Sequence, residues 1–187
     1  MIISVDKTNL LQAATIHSIA WKESHRDFCT PDFIAMHTPN RQRDYLGNKI
    51  NSGTKVYMLA EEKTIGIVSV TNSLIEDLYV LPDMQNMGYG TKLLQYSIDQ
   101  CADTPTLWIL ENNSNARRLY QRMGFRRTGR RNAITSDLTE IEFALIFRKR
   151  CHKGLCEFWH FRSSQTNLKA WFERIDPPPK RILNFLT

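Results

Sequence analysis

Residues 78 to 94 run Leu-Tyr-Val-Leu-Pro-Asp-Met-Gln-Asn-Met-Gly-Tyr-Gly-Thr-Lys-Leu-Leu: an apolar strand, a polar turn carrying Gln-x-x-Gly-x-Gly, and an amphipathic helix. That order makes a cradle for phosphate. Glycine at Gly88 and Gly90 lets a ligand approach the main chain, where a side chain would fill the space. The first-turn amides of the following helix have no intrahelical acceptor, so they point at whatever anion sits there. A pyrophosphate fits such a place. By itself, the same turn also serves as a tight strand-to-helix connection.

A second segment has the same grammar. Residues 107 to 125, Leu-Trp-Ile-Leu-Glu-Asn-Asn-Ser-Asn-Ala-Arg-Arg-Leu-Tyr-Gln-Arg-Met-Gly-Phe, read as strand, polar break, helix and a glycine stop. Together the two segments resemble the GNAT superfamily of acetyl-coenzyme A-dependent N-acetyltransferases. Pro82, Gln85, Gly88 and Gly90 match its strand-Pro-x-x-Gln-x-x-Gly-x-Gly pyrophosphate motif. Asn113, Ala116, Tyr120, Gly124 and Phe125 match its Asn-x-x-Ala-x-x-x-Tyr-x-x-x-Gly-Phe pattern. The resemblance covers roughly residues 1 to 147.

It implies acetyl-CoA as co-substrate, with contacts at Leu78, Tyr79 and Val80, at Gln85, Asn86, Met87, Gly88, Tyr89, Gly90 and Thr91, and at Asn113. Pantetheine is a pair of amides, so it can pair as a pseudo-strand with the free edge of a strand that splays from its neighbour. Leu78 and Val80 also suit core packing, and side chains can pack inward while the main chain pairs with a ligand. One departure stands out. The positions between Gln85 and Gly88 are often basic in the superfamily, but here they are Asn86 and Met87. Phosphate binding then rests on amides and the helix N-terminus, each exposed dipole contact contributing roughly 0.3 to 1 kcal/mol, with Lys92 as a nearby cation.

Acyl transfer to an amine needs a polarised carbonyl, a proton donor for the leaving thiolate and a base for the amine. The main-chain amide of Val80 is a plausible donor to the thioester carbonyl. Tyr120 falls at the superfamily's general-acid position. With an ordinary pKa of about 10, it is protonated at neutral pH and can donate to a thiolate of about 8.5. Glu76 is the first candidate for the base, acting through water, with Asp77 and Glu111 as alternatives. The acceptor pocket is expected from the first two helices and a closing hairpin. Trp21, His25 and Trp108, together with Phe28 and Tyr45, are its candidate lining, since an aromatic cleft suits a cationic amine. Polyamine, aminoglycoside, amino acid and peptide N-terminus all remain open as acceptors. No cysteine sits where a covalent acyl-enzyme would need one, so direct attack in a ternary complex is expected. The alternative is a non-catalytic acyl-CoA sensor or binding module.

Periodicity supplies the elements that would position these groups. Strands are expected at residues 1–5, 55–60, 64–71, 74–81 and from Pro105 to about residue 110, and a closing hairpin at 125–131 and 138–147. Helices are expected at 10–21, at 39–51 behind the Thr38-Pro39 cap, from Gly90 to about Cys101, and at 113–123. The sum is an α/β fold: a central mixed sheet with helices on both faces and splayed strands forming the acetyl-CoA cleft.

Composition places limits on the whole chain. It has 187 residues, 42% hydrophobic and 24% charged, ample for one core. No long apolar run points to a membrane span, and the N-terminal Met-Ile-Ile-Ser-Val-Asp lacks a secretory pattern, so the expectation is cytoplasmic. Four scattered cysteines fit a reducing compartment. From Arg148 to Thr187 there are nine Lys and Arg against three Asp and Glu, a surplus of six that equals the chain's net charge. Residues 1–147 are therefore expected to be an N-acetyltransferase domain and 148–187 a basic, aromatic extension. Cys151, His152, Cys156 and His160 match no common zinc spacing, so no metal is expected. Without a reading motif, the basic surplus is read as a solvated face and not a nucleic-acid site. Leu168, Trp171, Phe172 and Ile175 form an amphipathic stripe that needs cover, from the same domain or, as favoured here, from a homodimer.

Overall fold

The computed structural model describes residues 1–27, 29–134 and 138–146. The chain divides into two units, Met1–Phe147 and Arg148–Thr187. The expectations placed on the second, and on Phe28, lie outside the described residues.

Threonine followed by proline sets two helix starts. Thr38 Oγ1 accepts the Arg41 amide and opens α3 (Pro39–Asn51), as its sequence predicts. Thr30 does the same for the Phe33 amide and opens α2 (Pro31–Ala35), a single turn too short to leave a periodic pattern. Helix α1 spans Leu10–His25, one turn beyond its expected end at Trp21. The last turn has no apolar rhythm. It is held instead by Ser24 Oγ donating to the Trp21 carbonyl at 3.0 Å and by His25 Nδ1 at 2.9 Å from the same oxygen.

The strands are β1 (Ile2–Ser4), β2 (Lys55–Ala60), β3 (Thr64–Thr71), β4 (Leu74–Val80), β5 (Thr106–Leu110), β6 (Phe125–Ala133) and β7 (Thr139–Leu145). Between β4 and β7 in sequence lie a short 3₁₀ turn (Pro82–Met84), α4 (Tyr89–Asp99) and α5 (Ser114–Arg122). Among the described residues they form one mixed sheet in the order β1-β2-β3-β4-β5-β7-β6. All neighbours are antiparallel except β4 and β5.

Helices cover both faces, as expected. On one, Ala13, Ala14 and Ile16 of α1 and Leu46 of α3 pack with Val56, Met58 and Ile67. On the other, Leu93 and Leu94 of α4 and Tyr120 of α5 pack with Val68, Ile75, Leu107, Phe125 and Phe143. Period-two alternation along the strands delivers these two apolar sets to opposite sides. Element ends differ from the sequence reading by one to two residues at β1, β4, β5, β6, β7, α4 and α5. The first turn of α4 begins at Tyr89, ahead of Gly90, because Gly88 at φ 88° already turns the chain into the helix. No helix among the described residues is long and apolar enough to cross a membrane.

Candidate active site

Parallel strands β4 and β5 pair at only two positions, Leu74 with Thr106 and Ile75 with Leu107. Beyond them β4 continues to Val80 and β5 to Leu110 without a shared ladder. The cause lies in β4. Its pairing with β3 steps from Ser69–Glu76 to Ile67–Tyr79, so Asp77 and Leu78 together oppose one residue, Val68. Asp77 takes φ 48° to allow it. Such a bulge bends a strand and raises its twist, and here it parts β4 from β5. Leu78, Tyr79 and Val80 therefore lie on a strand whose outer edge β5 does not pair. A splay between the strands ending near Leu81 and Leu110, with a bulged end at Val80, is what the resemblance implies; the bulge itself falls earlier, at Asp77 and Leu78.

The glycine turn sits at the head of this gap. Gln85 Nε2 donates to the Val80 carbonyl at 3.1 Å and so ties the turn to the end of β4. Asn86, at φ 61°, and Gly88, at φ 88°, reverse the chain. Both conformations are left-handed, and at Gly88 it is φ alone that favours glycine, since an added Cβ there would meet no heavy atom within 4 Å. The first helical bond of α4 runs from the Lys92 amide to the Gly88 carbonyl, which leaves the Tyr89, Gly90 and Thr91 amides without intrahelical acceptors. A Cβ on Gly90 would point between α4 and α5, 3.4 Å from Leu119 Cδ2 and 3.9 Å from Val80 Cγ2. Met87 is 61% exposed. Lys92 Nζ pairs with Glu61 at 3.4 Å, and Tyr89 donates to the same carboxylate.

Across the gap, Asn113 caps α5: its Oδ1 accepts the Ala116 amide at 3.0 Å. Tyr120 lies about two turns further, buried against Phe125 with ring centroids 6.0 Å apart. Burial pushes its phenol up to about 12, so it stays protonated across the neutral range.

The carboxylates are differently placed from a solvated strand pair. Lys49, on α3, directs Nζ to Glu76 Oε1 at 3.1 Å and to Asp77 Oδ2 at 2.5 Å. Asp77 also accepts from Tyr45 at 3.1 Å and Ser69 at 2.6 Å, and Glu76 accepts from Thr71 at 2.9 Å. His17 Nε2 of α1 stands 3.5 Å from Asp77 Oδ1, and its ring meets Tyr79 edge-on at 4.9 Å. Burial raises the Asp77 carboxyl, but Lys49 and then His17 outweigh it and hold it well below the usual carboxylate range. Burial, then the charge of Asp77, lifts the Tyr45 phenol. Glu111, the third candidate base, is drawn the other way, to Arg131 at 2.6 Å and Arg127 at 4.0 Å on β6. Lys49 and His17 escape sequence reading because their partners lie tens of residues away.

Of the five candidate lining residues, Phe28 lies outside the described residues, Tyr45 donates to Asp77, and the other three fall into two groups. Trp21 stacks between His25 at 4.0 Å and His37 at 3.5 Å, both with planes 8° apart, and Phe33 of α2 closes the stack edge-on. Trp108 of β5 instead carries the Arg130 guanidinium over its ring at 5.6 Å, and Arg130 pairs with buried Glu142 at 3.0 Å. His37 and Arg130 carry no motif that would have singled them out.

Burial lowers His25 from 6.5 to about 4 and lowers His37 as well. The unfolded chain thus binds more protons than the folded one between those limits, and stability must fall as pH drops through them. From His25 alone, the loss from pH 7 to pH 5 is expected to be roughly 2 kcal/mol. Urea denaturation at both pH values measures it, and His25→Gln should flatten the dependence. An unchanged pH dependence in that variant would remove His25 from the account.

Residues 52–127 match the acetyltransferase (GNAT) domain model. No curated protein sequence matches the chain significantly. Similar solved structures include yncA, a putative acetyltransferase from Salmonella typhimurium solved with acetyl-CoA, at 19% identity and TM-score 0.59 over 83% of this chain and 98% of that one. The ribosomal-protein-S18-alanine N-acetyltransferase of Escherichia coli is similar at 20% identity and TM-score 0.59, over 81% and 98%. The PaiA N-acetyltransferase of Thermoplasma acidophilum, in complex with coenzyme A, is similar at 14% and 0.58, over 76% and 96%. At these identities the likeness is one of fold.

Proposed function

We propose that this chain, a GNAT-domain protein by residues 52–127 and by its fold, is a cytoplasmic N-acetyltransferase that moves acetyl from acetyl-CoA to a primary amine by direct attack in a ternary complex. The observation that carries this reading is the gap opened after Ile75 and Leu107, with the free amides of α4 at its head. Pantetheine amides fit the edge at Leu78, Tyr79 and Val80, and a pyrophosphate fits the Gln85 to Thr91 turn with Asn113 opposite. The two aromatic groups, Trp21 with His25 and Trp108 with Arg130, are proposed to receive the acceptor.

In the reaction, the amine nitrogen bonds to the thioester carbon, the carbon–sulfur bond breaks, and the thiolate takes the Tyr120 proton. The surplus amine proton leaves through water to Glu76. Glu76 shares Lys49 with Asp77 and accepts from Thr71, so as the base it works from within this network.

The test is thiol release from acetyl-CoA with polyamine, aminoglycoside, amino acid and peptide N-terminal acceptors in turn. Release with at least one class is expected. Tight acetyl-CoA binding with no release from any would overturn the enzyme reading in favour of a sensor.

A further inference from the structure

Successive side chains of a regular strand point to opposite faces of its sheet. Glu76 and Asp77 are successive, yet Lys49 Nζ reaches both carboxylates, at 3.1 and 2.5 Å. The bulge makes this possible. With Asp77 at φ 48° the chain gains a residue against Val68, and both carboxylates turn toward α1 and α3. In a regular β4 one of them would face the apolar side occupied by Leu93, Leu107 and Phe143, which a charge would enter only at high cost. The ammonium is therefore satisfied by two carboxylates in one backbone state alone.

The backbone state needs such support. Left-handed φ is disfavoured for any residue with a Cβ, less so for Asp and Asn than for others. Tyr45 and Ser69 add hydrogen bonds to Asp77, at 3.1 and 2.6 Å, from α3 and β3. The lysine, the phenol and the hydroxyl all lie inside, with the Lys49, Glu76 and Asp77 side chains 14%, 12% and 11% exposed.

We propose that Lys49 is a positioning residue: by binding Glu76 and Asp77 together it locks the β4 bulge, and through the bulge it holds the Leu78–Val80 edge apart from β5 in the geometry acetyl-CoA needs. The second half of this statement rests on the function proposed above. The first half concerns the free protein and stands without it.

Lys49→Met alone would leave two buried carboxylates uncompensated and endanger folding. Two charge-balanced double variants of the full chain avoid this. Lys49→Met/Asp77→Gly and Lys49→Met/Asp77→Ala each remove one positive and one negative charge, and they differ only in how readily position 77 adopts positive φ. Amide hydrogen exchange without coenzyme, read at the amides that bond β3 to β4 around the bulge, should be slow in the parent and the glycine variant, and on the order of tenfold faster in the alanine variant. Exchange as slow in the alanine variant as in the parent would overturn the lock. Calorimetry with acetyl-CoA should then find the glycine variant close to the parent and the alanine variant weaker by about tenfold. If the two bind equally although their exchange differs, the lock does not serve the coenzyme edge. A parent chain that fails to bind acetyl-CoA would defeat the proposed function and leave the exchange comparison intact.

Discussion

Replacing Gly90 by glutamate is expected to abolish acetyl-CoA binding while the fold survives. The added Cβ meets only ordinary contacts, Leu119 Cδ2 at 3.4 Å and Val80 Cγ2 at 3.9 Å. A carboxylate in a helix's first turn also complements the macrodipole. Its longer reach, however, carries a negative charge into the opening between α4 and α5, beside the amides proposed to hold pyrophosphate. Two like charges about 4 Å apart repel by roughly 4 kcal/mol at the effective dielectric of a protein surface, which is on the order of 10³-fold in affinity. Titration calorimetry reads the affinity and thermal unfolding the fold. Binding within about threefold of the parent by a folded variant would show that phosphate does not sit at this turn.

Tyr120→Phe should lower turnover by roughly 10²- to 10⁴-fold, the usual span for a lost general acid, with coenzyme affinity nearly unchanged. The phenyl ring fills the same space beside Phe125, so packing is conserved and only the proton is removed. Since burial already holds the phenol at about 12, its deprotonation should contribute no falling limb to the rate profile near neutrality. The measurement is steady-state turnover at saturating amine. Parental turnover would assign the leaving-group proton to water and leave Tyr120 as a packing residue.

The glycine turn and the Tyr120 helix were legible because each is local: their residue types act on backbone within a few positions. Alternation revealed β2, β3 and β4, and the Thr38-Pro39 pair announced α3. What stayed hidden depends on contacts across the chain. Nothing near Lys49 announces that it will meet Asp77, and nothing in Ile-Glu-Asp-Leu marks the residue that abandons regular strand geometry. The last turn of α1 was missed because Trp21, His25 and His37 stack across elements and leave no periodic trace. Trp108 was expected to line the acceptor pocket; the partners it meets, Arg130 and through it Glu142, come from a hairpin whose register no sequence rule supplied.

The meagre contact between β4 and β5 has a mechanical meaning. Two rungs of ladder join a block built from β1 to β4 to a block built from β5, β7 and β6, so the sheet has a seam along its middle. Sheets transmit cooperativity through their ladders, and a seam lets each block open with a free energy of its own. A ligand that bonds to both lips of the seam becomes a strut, supplying the rungs the polypeptide omits and joining the two blocks into a single melting unit. On this view the molecule spends continuity in its own architecture so that a small molecule can complete it.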